Sequence, residues 1–430
     1  MAACDRAIGS GQLAGRSLAL AYSNRGVEWT AKGDATRAIA DYNNAIKLDP
    51  TQAAAFHNRG IAHAANREFD AAIRDYDAAL RLDPKFASAL GNRGLARFSK
   101  GDQERAIADY DEAVRLAPDP IVLNNRGNAF ASRGEFNRAI RDFDEAVTLD
   151  PRYAIAFYNR GNAHFAKGDP DRAVRDYDHA LAIDPKYQDA LVNRGIAHER
   201  RGRVDQAIRD YDDAIKLDPK DALAFNNRGN ALLKKGLPMR AIADYDQAIR
   251  IDSDYVAAYF SRAIANENRR QHAAAIADYE QVTRLQPANA TAWNSRCWTR
   301  AVLGQLDAAL SDCNEAIRLR PEFVHALDSR AFVHLRAGRF DEAIADYDAA
   351  LRLEPKKVAS LYGRGIAKRR KNNIAGGNED IAAARALKVD VSLEFARYGI
   401  HPPESDLPSR RDAEWPAQRG AERPAQRPPF

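Results

Sequence analysis

Residues 53–84 read AAAFHNRGIAHAANREFDAAIRDYDAALRLDP, and the fold follows from how this stretch is built. Its first half sets Phe56, Gly60 and His63 on one stripe at steps of three and four, and its second half sets Ala72, Tyr76, Ala79 and Leu80 on another. That spacing predicts two amphipathic helices in succession. Pro84 cannot continue the second helix and closes the unit.

The unit recurs. An Arg, usually followed by Gly, stands at Arg25, Arg59, Arg93, Arg126, Arg160, Arg194, Arg228, Arg262, Arg296, Arg330 and Arg364, in steps of 34 residues with a single step of 33. Prolines keep the same beat from Pro50 to Pro355, with Ser253 where one is missing. Between the two helices most units carry Gly (Gly33, Gly101, Gly134, Gly168, Gly202, Gly236, Gly304, Gly338), suited to a left-handed residue that ends a helix. Asp34, Asp102 and Asp169 follow it as caps for the next helix. Such a helix pair cannot bury its apolar stripe alone, so stacking on neighbours must do it. Close approach is expected where Gly60 faces Ala72 and Ala79, with Tyr76 filling the gap to the neighbouring helix.

The period, the Gly, Ala, Tyr, Ala and Pro spacing and the helix-turn-helix reading resemble the tetratricopeptide repeat family, over roughly residues 17–388. The NRG…AIxDYDxAIxLDP form is similar to multi-repeat proteins common in bacteria. The resemblance implies an all-α fold, an α-solenoid wound as a right-handed superhelix of about eleven helix-turn-helix units. In one respect the sequence departs from the family: the residue before Gly, usually large and apolar, is Arg in every repeat.

Composition agrees with a helical array. The chain has 430 residues, 45% hydrophobic and 29% charged, with no apolar run near the roughly 20 residues needed to span a bilayer. Its net charge of +5 is a small remainder of 65 basic and 60 acidic residues that alternate finely, so the clustered footprint of a nucleic-acid binder is missing. Three cysteines are too few for a disulfide scaffold. No secretory signal is visible after Met1, which puts the chain in the cytoplasm as it stands; an upstream start would allow a periplasmic or secreted protein.

The expected organisation is a partial repeat over 1–16, eleven repeats over 17–388, a capping helix over 389–400 and a disordered Pro/Arg-rich tail over 401–430. In the first segment Cys4 takes the slot held later by Tyr42 and Tyr76.

Four constellations invite a functional reading. Each ladder Arg has an Asp sixteen positions on, as in Arg59 with Asp75, Arg93 with Asp109 and Arg160 with Asp176, which predicts ion pairs that fix register, within a repeat or between neighbours. Asn58, Asn92, Asn125, Asn159, Asn193 and Asn227 precede the Arg, and Asn128, Asn162 and Asn230 follow three residues after the last of those in their own repeats. In the family this is the concave wall, where amides supply donor and acceptor to an extended peptide; alternatively they bond to neighbouring helices. From repeat eight Ser261, Ser295, Ser329 and Gly363 replace the Asn, while Phe260, Trp298, Phe332 and Tyr362 suit apolar side chains or ordinary packing. Cys297 and Cys313 hold the Gly and Tyr slots of repeat nine: a disulfide in an oxidising compartment, two small buried hydrophobes in the cytosol.

Other features argue against chemistry. The family's clamp for a chaperone C-terminus needs Lys before the first Asn, where this chain has Ser23, His57, Gly91, Asn124, Tyr158 and Val192. His63, His164, His198 and His334 share one core-facing slot but are a repeat apart, too distant to share a metal. GSGQLAGRS at 9–17 lacks the lysine of a phosphate loop. The expectation is a non-catalytic scaffold that grips a protein or peptide, with no cofactor, metal, nucleic acid or small-molecule substrate. Two other readings are a regulatory or substrate-recruiting subunit of an enzyme complex and, with less support, an RNA-binding helical repeat.

Overall fold

The computed structural model of the protein describes residues 1–401, and every regular element among them is a helix. The expected disordered tail lies outside the described residues apart from His401. The helices divide into two compact units, which meet in sequence at Arg203 and Val204.

The first unit holds α1 (Ala2–Gly9), the pairs α2 (Gly15–Ala31) and α3 (Ala35–Leu48), α4 (Ala53–Ala65) and α5 (Phe69–Leu82), α6 (Ala87–Ser99) and α7 (Gln103–Leu116), α8 (Pro120–Ser132) and α9 (Phe136–Leu149), α10 (Ala154–Ala166) and α11 (Pro170–Ile183), and then α12 (Gln188–Arg200). The second holds α13 (Val204–Leu217), the pairs α14 (Ala222–Lys234) and α15 (Pro238–Ile251), α16 (Val256–Asn268) and α17 (His272–Leu285), α18 (Ala290–Val302) and α19 (Leu306–Leu319), α20 (Val324–Arg336) and α21 (Phe340–Leu353), α22 (Val358–Arg370) and α23 (Ile374–Leu387), and last α24 (Val391–Ala396).

The turn between paired helices is set locally. Gly33 and its equivalents sit at positive φ, and Asp34, Asp102 and Asp169 accept the backbone N–H of Arg37, Arg105 and Arg172 as N-caps. In three repeats a side chain occupies the left-handed position: Arg67 (φ 61°), Arg270 (φ 59°) and Asn372 (φ 62°).

Between the paired helices a ring lies on a glycine. A Cβ on Gly60 would stand 2.6 Å from Tyr76 Cε1, and Gly94, Gly127, Gly161 and Gly229 meet Tyr110, Phe143, Tyr177 and Tyr245 in the same way. The ring therefore fills the gap to the neighbouring helix of its own repeat. It also joins Ala96 of the following repeat in one apolar cluster. In repeat nine both slots are cysteine, and a disulfide links Cys297 to Cys313 across a Cα separation of 5.4 Å.

In each unit successive first helices touch, as α4 does α6 and α20 does α22, whereas successive second helices make no comparable contact. Within each unit the first helices thus lie on the inner side of the stack.

The ladder Arg ties repeats together. Arg59 Nε and Nη2 donate to the two carboxylate oxygens of Asp75 at 2.8 and 2.6 Å, and Arg93 to Asp109, Arg126 to Asp142 and Arg160 to Asp176 do likewise. The second unit repeats this with Arg228 and Asp244, Arg262 and Asp278, Arg296 and Asp312, Arg330 and Asp346, and Arg364 and Asp380. The remaining Nη1 reaches back one repeat: Arg93 to Asp77, Arg126 to Asp111, Arg160 to Asp144 and Arg228 to Asp212, at 2.6–2.8 Å. The pairing is consequently both within and between repeats. At the start of the chain α1 supplies the backward partner, Asp5, to Arg25 at 3.0 Å.

Aromatic rings three residues upstream cover the guanidinium, Phe56 for Arg59, Phe157 for Arg160 and Trp293 for Arg296. Burial pulls the Arg160 guanidinium pKa down, but its bonds to Asp176 and Asp144 outweigh that and leave it raised. In several repeats the residue four after the Arg also faces the ladder Asp. Arg97 and Arg300 donate to Asp109 and Asp312, and His164 and His334 stand 3.9 and 3.8 Å from Asp176 and Asp346.

Asp176 is buried whereas Asp144 is 54% exposed. Asp176→Ala should therefore cost about 3–5 kcal/mol by stranding Arg160, and Asp144→Ala about 0–1 kcal/mol, both read from urea midpoints. Arg67→Gly relieves a left-handed side chain and should raise stability by about 1 kcal/mol on the same assay. Burial lowers the pKa of His164 and His334 below the ordinary histidine value, with the adjacent aspartates opposing the shift. The unfolded chain then binds protons more readily, so stability is full above that value and falls as pH drops from about 7 towards 5. Thermal melts across that window should show the loss, and His164→Gln should reduce it.

Candidate protein-interaction face

On the inner side of the first unit, α4, α6, α8, α10 and α12 carry Asn58, Asn92, Asn125, Asn159 and Asn193, each half-buried, with Asn128 and Asn162 one turn further on. Helical pitch and the 34-residue period bring these amides into two rows. They do not stand idle. Asn159 Nδ2 donates to Asn124 Oδ1 of the preceding repeat at 2.8 Å, Asn193 Nδ2 donates to the Tyr158 hydroxyl and to Asn162 Oδ1 at 3.0 Å each, and Asn92 Nδ2 lies 2.9 Å from His57 Nε2. Asn162 Oδ1 also accepts from the Tyr177 hydroxyl at 2.7 Å.

Each of these donors reaches the residue that precedes the equivalent Asn one repeat earlier. Burial lowers the His57 pKa, and it raises that of the Tyr158 phenol, with the amides of Asn162 and Asn193 pulling the other way. Both groups are neutral at neutral pH and hold the bond without charge. Among the described residues the side-chain oxygens of Asn159 and Asn193 and the amide of Asn125 take no part in these bonds.

In the second unit Asn227 and Asn230 lie on α14. Asn230 Oδ1 accepts from the Tyr245 hydroxyl at 2.9 Å, while Asn227 Nδ2 and Asn226 Oδ1 are buried without a partner. Asn294 Oδ1 is likewise unpartnered. One repeat beyond Asn226 and Asn294 the ladder residue is Ser261 or Ser329, whose side chain is too short to reach back as asparagine does. The polar row loses its internal bonds at the point where aromatic residues begin.

Those aromatic residues are not an open seat. Trp298 and Phe332 pack on each other at 4.9 Å between ring centres, and the segment around α24 covers them together with Tyr362. Phe260 stands apart from this group and packs edge-on against Tyr279. His63, His164 and His334 each stand beside the ladder Asp of their own repeat, and among the described residues no three His, Cys, Asp or Glu side chains converge as metal ligands would. Among those residues, too, no helix is long and apolar enough to cross a membrane.

Sequence reasoning missed three elements. The backward aspartate was legible as the second Asp of each DYD triplet, as in Asp77 and Asp111. The residue four after the Arg is Trp29, Phe130 or Leu232 in three repeats and His, Arg, Asn or Lys in the others, and its histidines were read as core alone. A surface series joins Lys100 to Asp70, Lys167 to Asn137 and Lys235 to Asp205 at a constant separation of thirty residues.

Profiles described as "TPR repeat" match residues 28–66 and 127–168, and profiles described as "Tetratricopeptide repeat" match 57–119, 154–187, 192–256, 260–322 and 324–357. No curated protein matches the chain. Among solved structures, MamA is 28% identical over 37% of this chain and 94% of its own, with a TM-score of 0.36. A tetratricopeptide repeat protein from Parabacteroides merdae is 20% identical over 54% and 92%, TM-score 0.44, and yeast Tom70 is 17% identical over 89% and 94%, TM-score 0.39. With matched profiles tiling most of the helical array, the chain belongs to the tetratricopeptide repeat family and is a protein-interaction scaffold.

Proposed function

We propose that the chain works without catalysis, holding an extended segment of a partner protein along the inner face formed by α4, α6, α8, α10 and α12. The observation that supports this is the one-sided use of the amides. Asn159 and Asn193 spend their donors on the preceding helix, which fixes the side chains and leaves carbonyl oxygens a repeat apart. Oxygens fixed in this way suit the backbone N–H groups of an extended chain and read little of its sequence. Asn125 makes no internal side-chain bond and offers both halves of its amide. The same face would serve in a recruiting subunit of an enzyme complex. An RNA ligand has less support, because the side chains that line these rows are neutral.

Asn125→Ala should weaken retention of the partner in affinity co-purification from the native cell, with no change in helical circular dichroism or melting temperature. The triple change of Asn125, Asn159 and Asn193 to Ala should abolish retention and cost about 0.5–1.5 kcal/mol for each internal bond lost. Equal recovery of the partner by wild type and both folded variants would rule out this face.

A further inference from the structure

The last six-residue helix, α24, packs on both α22 and α23, and the residues at its end and just after it turn back over the earlier first helices. Phe395 lies 4.8 Å from Tyr362 on α22 and 6.2 Å from Phe332 on α20, ring centre to ring centre. Tyr398 meets Phe332 at 5.6 Å and Trp298 on α18 at 5.4 Å, both edge-on. The segment therefore runs back over the first helices of repeats eleven, ten and nine. Trp298 and Phe332 occupy the register that holds Asn128, Asn162 and Asn230 in earlier repeats. Val391, Phe395 and Ile400 are buried there at 1, 7 and 9% exposure, while Leu393 stays 58% exposed. Lys388 forms an ion pair with Glu394, the residue just before Phe395. A helix this short is not stable by itself in water, so its order derives from the aromatic seat.

We propose that this aromatic end of the inner face is a binding seat for a short amphipathic helix with an acidic residue directly before the first of two aromatic residues set three apart. Residues 391–400 are its resident occupant, and a partner segment of the same chemistry displaces them. The inference rests on reading the inner face as the interaction surface, but it concerns residues distinct from the asparagine rows. A tethered occupant competes at high effective concentration, and the apparent affinity of an incoming segment falls by the fraction of chains whose seat is open. Phe395 and Tyr398 supply the contact that closes it.

The test uses the full chain and a labelled synthetic peptide of residues 388–401, KVDVSLEFARYGIH, read by fluorescence anisotropy. The Phe395→Ala/Tyr398→Ala double variant should bind the peptide at least tenfold more tightly than wild type. Adding Trp298→Ala should remove that binding, as should alanine at both aromatic positions of the peptide. Asn125→Ala should leave it unchanged, so failure here and failure of the asparagine rows are separable. No binding by a folded double variant would overturn the proposal. Should the double variant not fold, hydrogen exchange on wild type decides. Backbone amides of 393–400 exchanging well ahead of those in α22 and α23 support a displaceable segment, and exchange in step with those helices overturns it.

Discussion

One side chain carries the register of this protein. The guanidinium of each ladder Arg is a planar fork with more donors than one carboxylate can use. Two nitrogens engage the Asp of its own second helix and the third engages a carboxylate or amide of the repeat before, as Arg160 does with Asp176 and Asp144. Burying such a charge is unfavourable unless every donor is met. Both partners must therefore be in place before the Arg can be, and a repeat that slipped by one helical residue would strand it. This explains the family departure noted in the sequence. Where an apolar residue would add area, Arg adds direction.

The rest of the packing is arranged around that charge. The aromatic three residues upstream lies against the guanidinium, and a ring set on glycine closes the helix pair on its other side. Repeat nine reaches the same closure by another route, with the bond between Cys297 and Cys313 in place of ring and glycine. Its Arg296 also differs: Nη1 donates to Thr283 at 3.2 Å, and Glu280, one methylene longer than the usual Asp, bonds instead to Arg300.

Much of this was legible because a repeat shows each constraint many times over. A single Arg and Asp sixteen apart say nothing, but the recurrence of Arg59 with Asp75 through Arg364 with Asp380 names a contact. The same logic failed where a residue's partner lay outside its own repeat. The amide of Asn193 bonds thirty-five residues back to Tyr158, and pattern alone left open whether it faced a ligand or a helix. The return of α24 over Trp298 was hidden for a different reason. Residues 391–400 obey no period, and Phe395 and Tyr398 are only two aromatic residues in a polar stretch until the seat beneath them is seen.

The backward bond also gives each stack a polarity. Every ladder Arg asks something of the repeat before it and nothing of the repeat after it, so the two ends of a stack are chemically unlike. In the first unit Asp5 of α1 answers Arg25. In the last pair of the second unit, the position equivalent to Asp348 one repeat earlier is Ala382. The backward series of ion pairs therefore closes on a carboxylate at its first member and on a methyl group at its last, so neither terminal pair is left with an unmet charge.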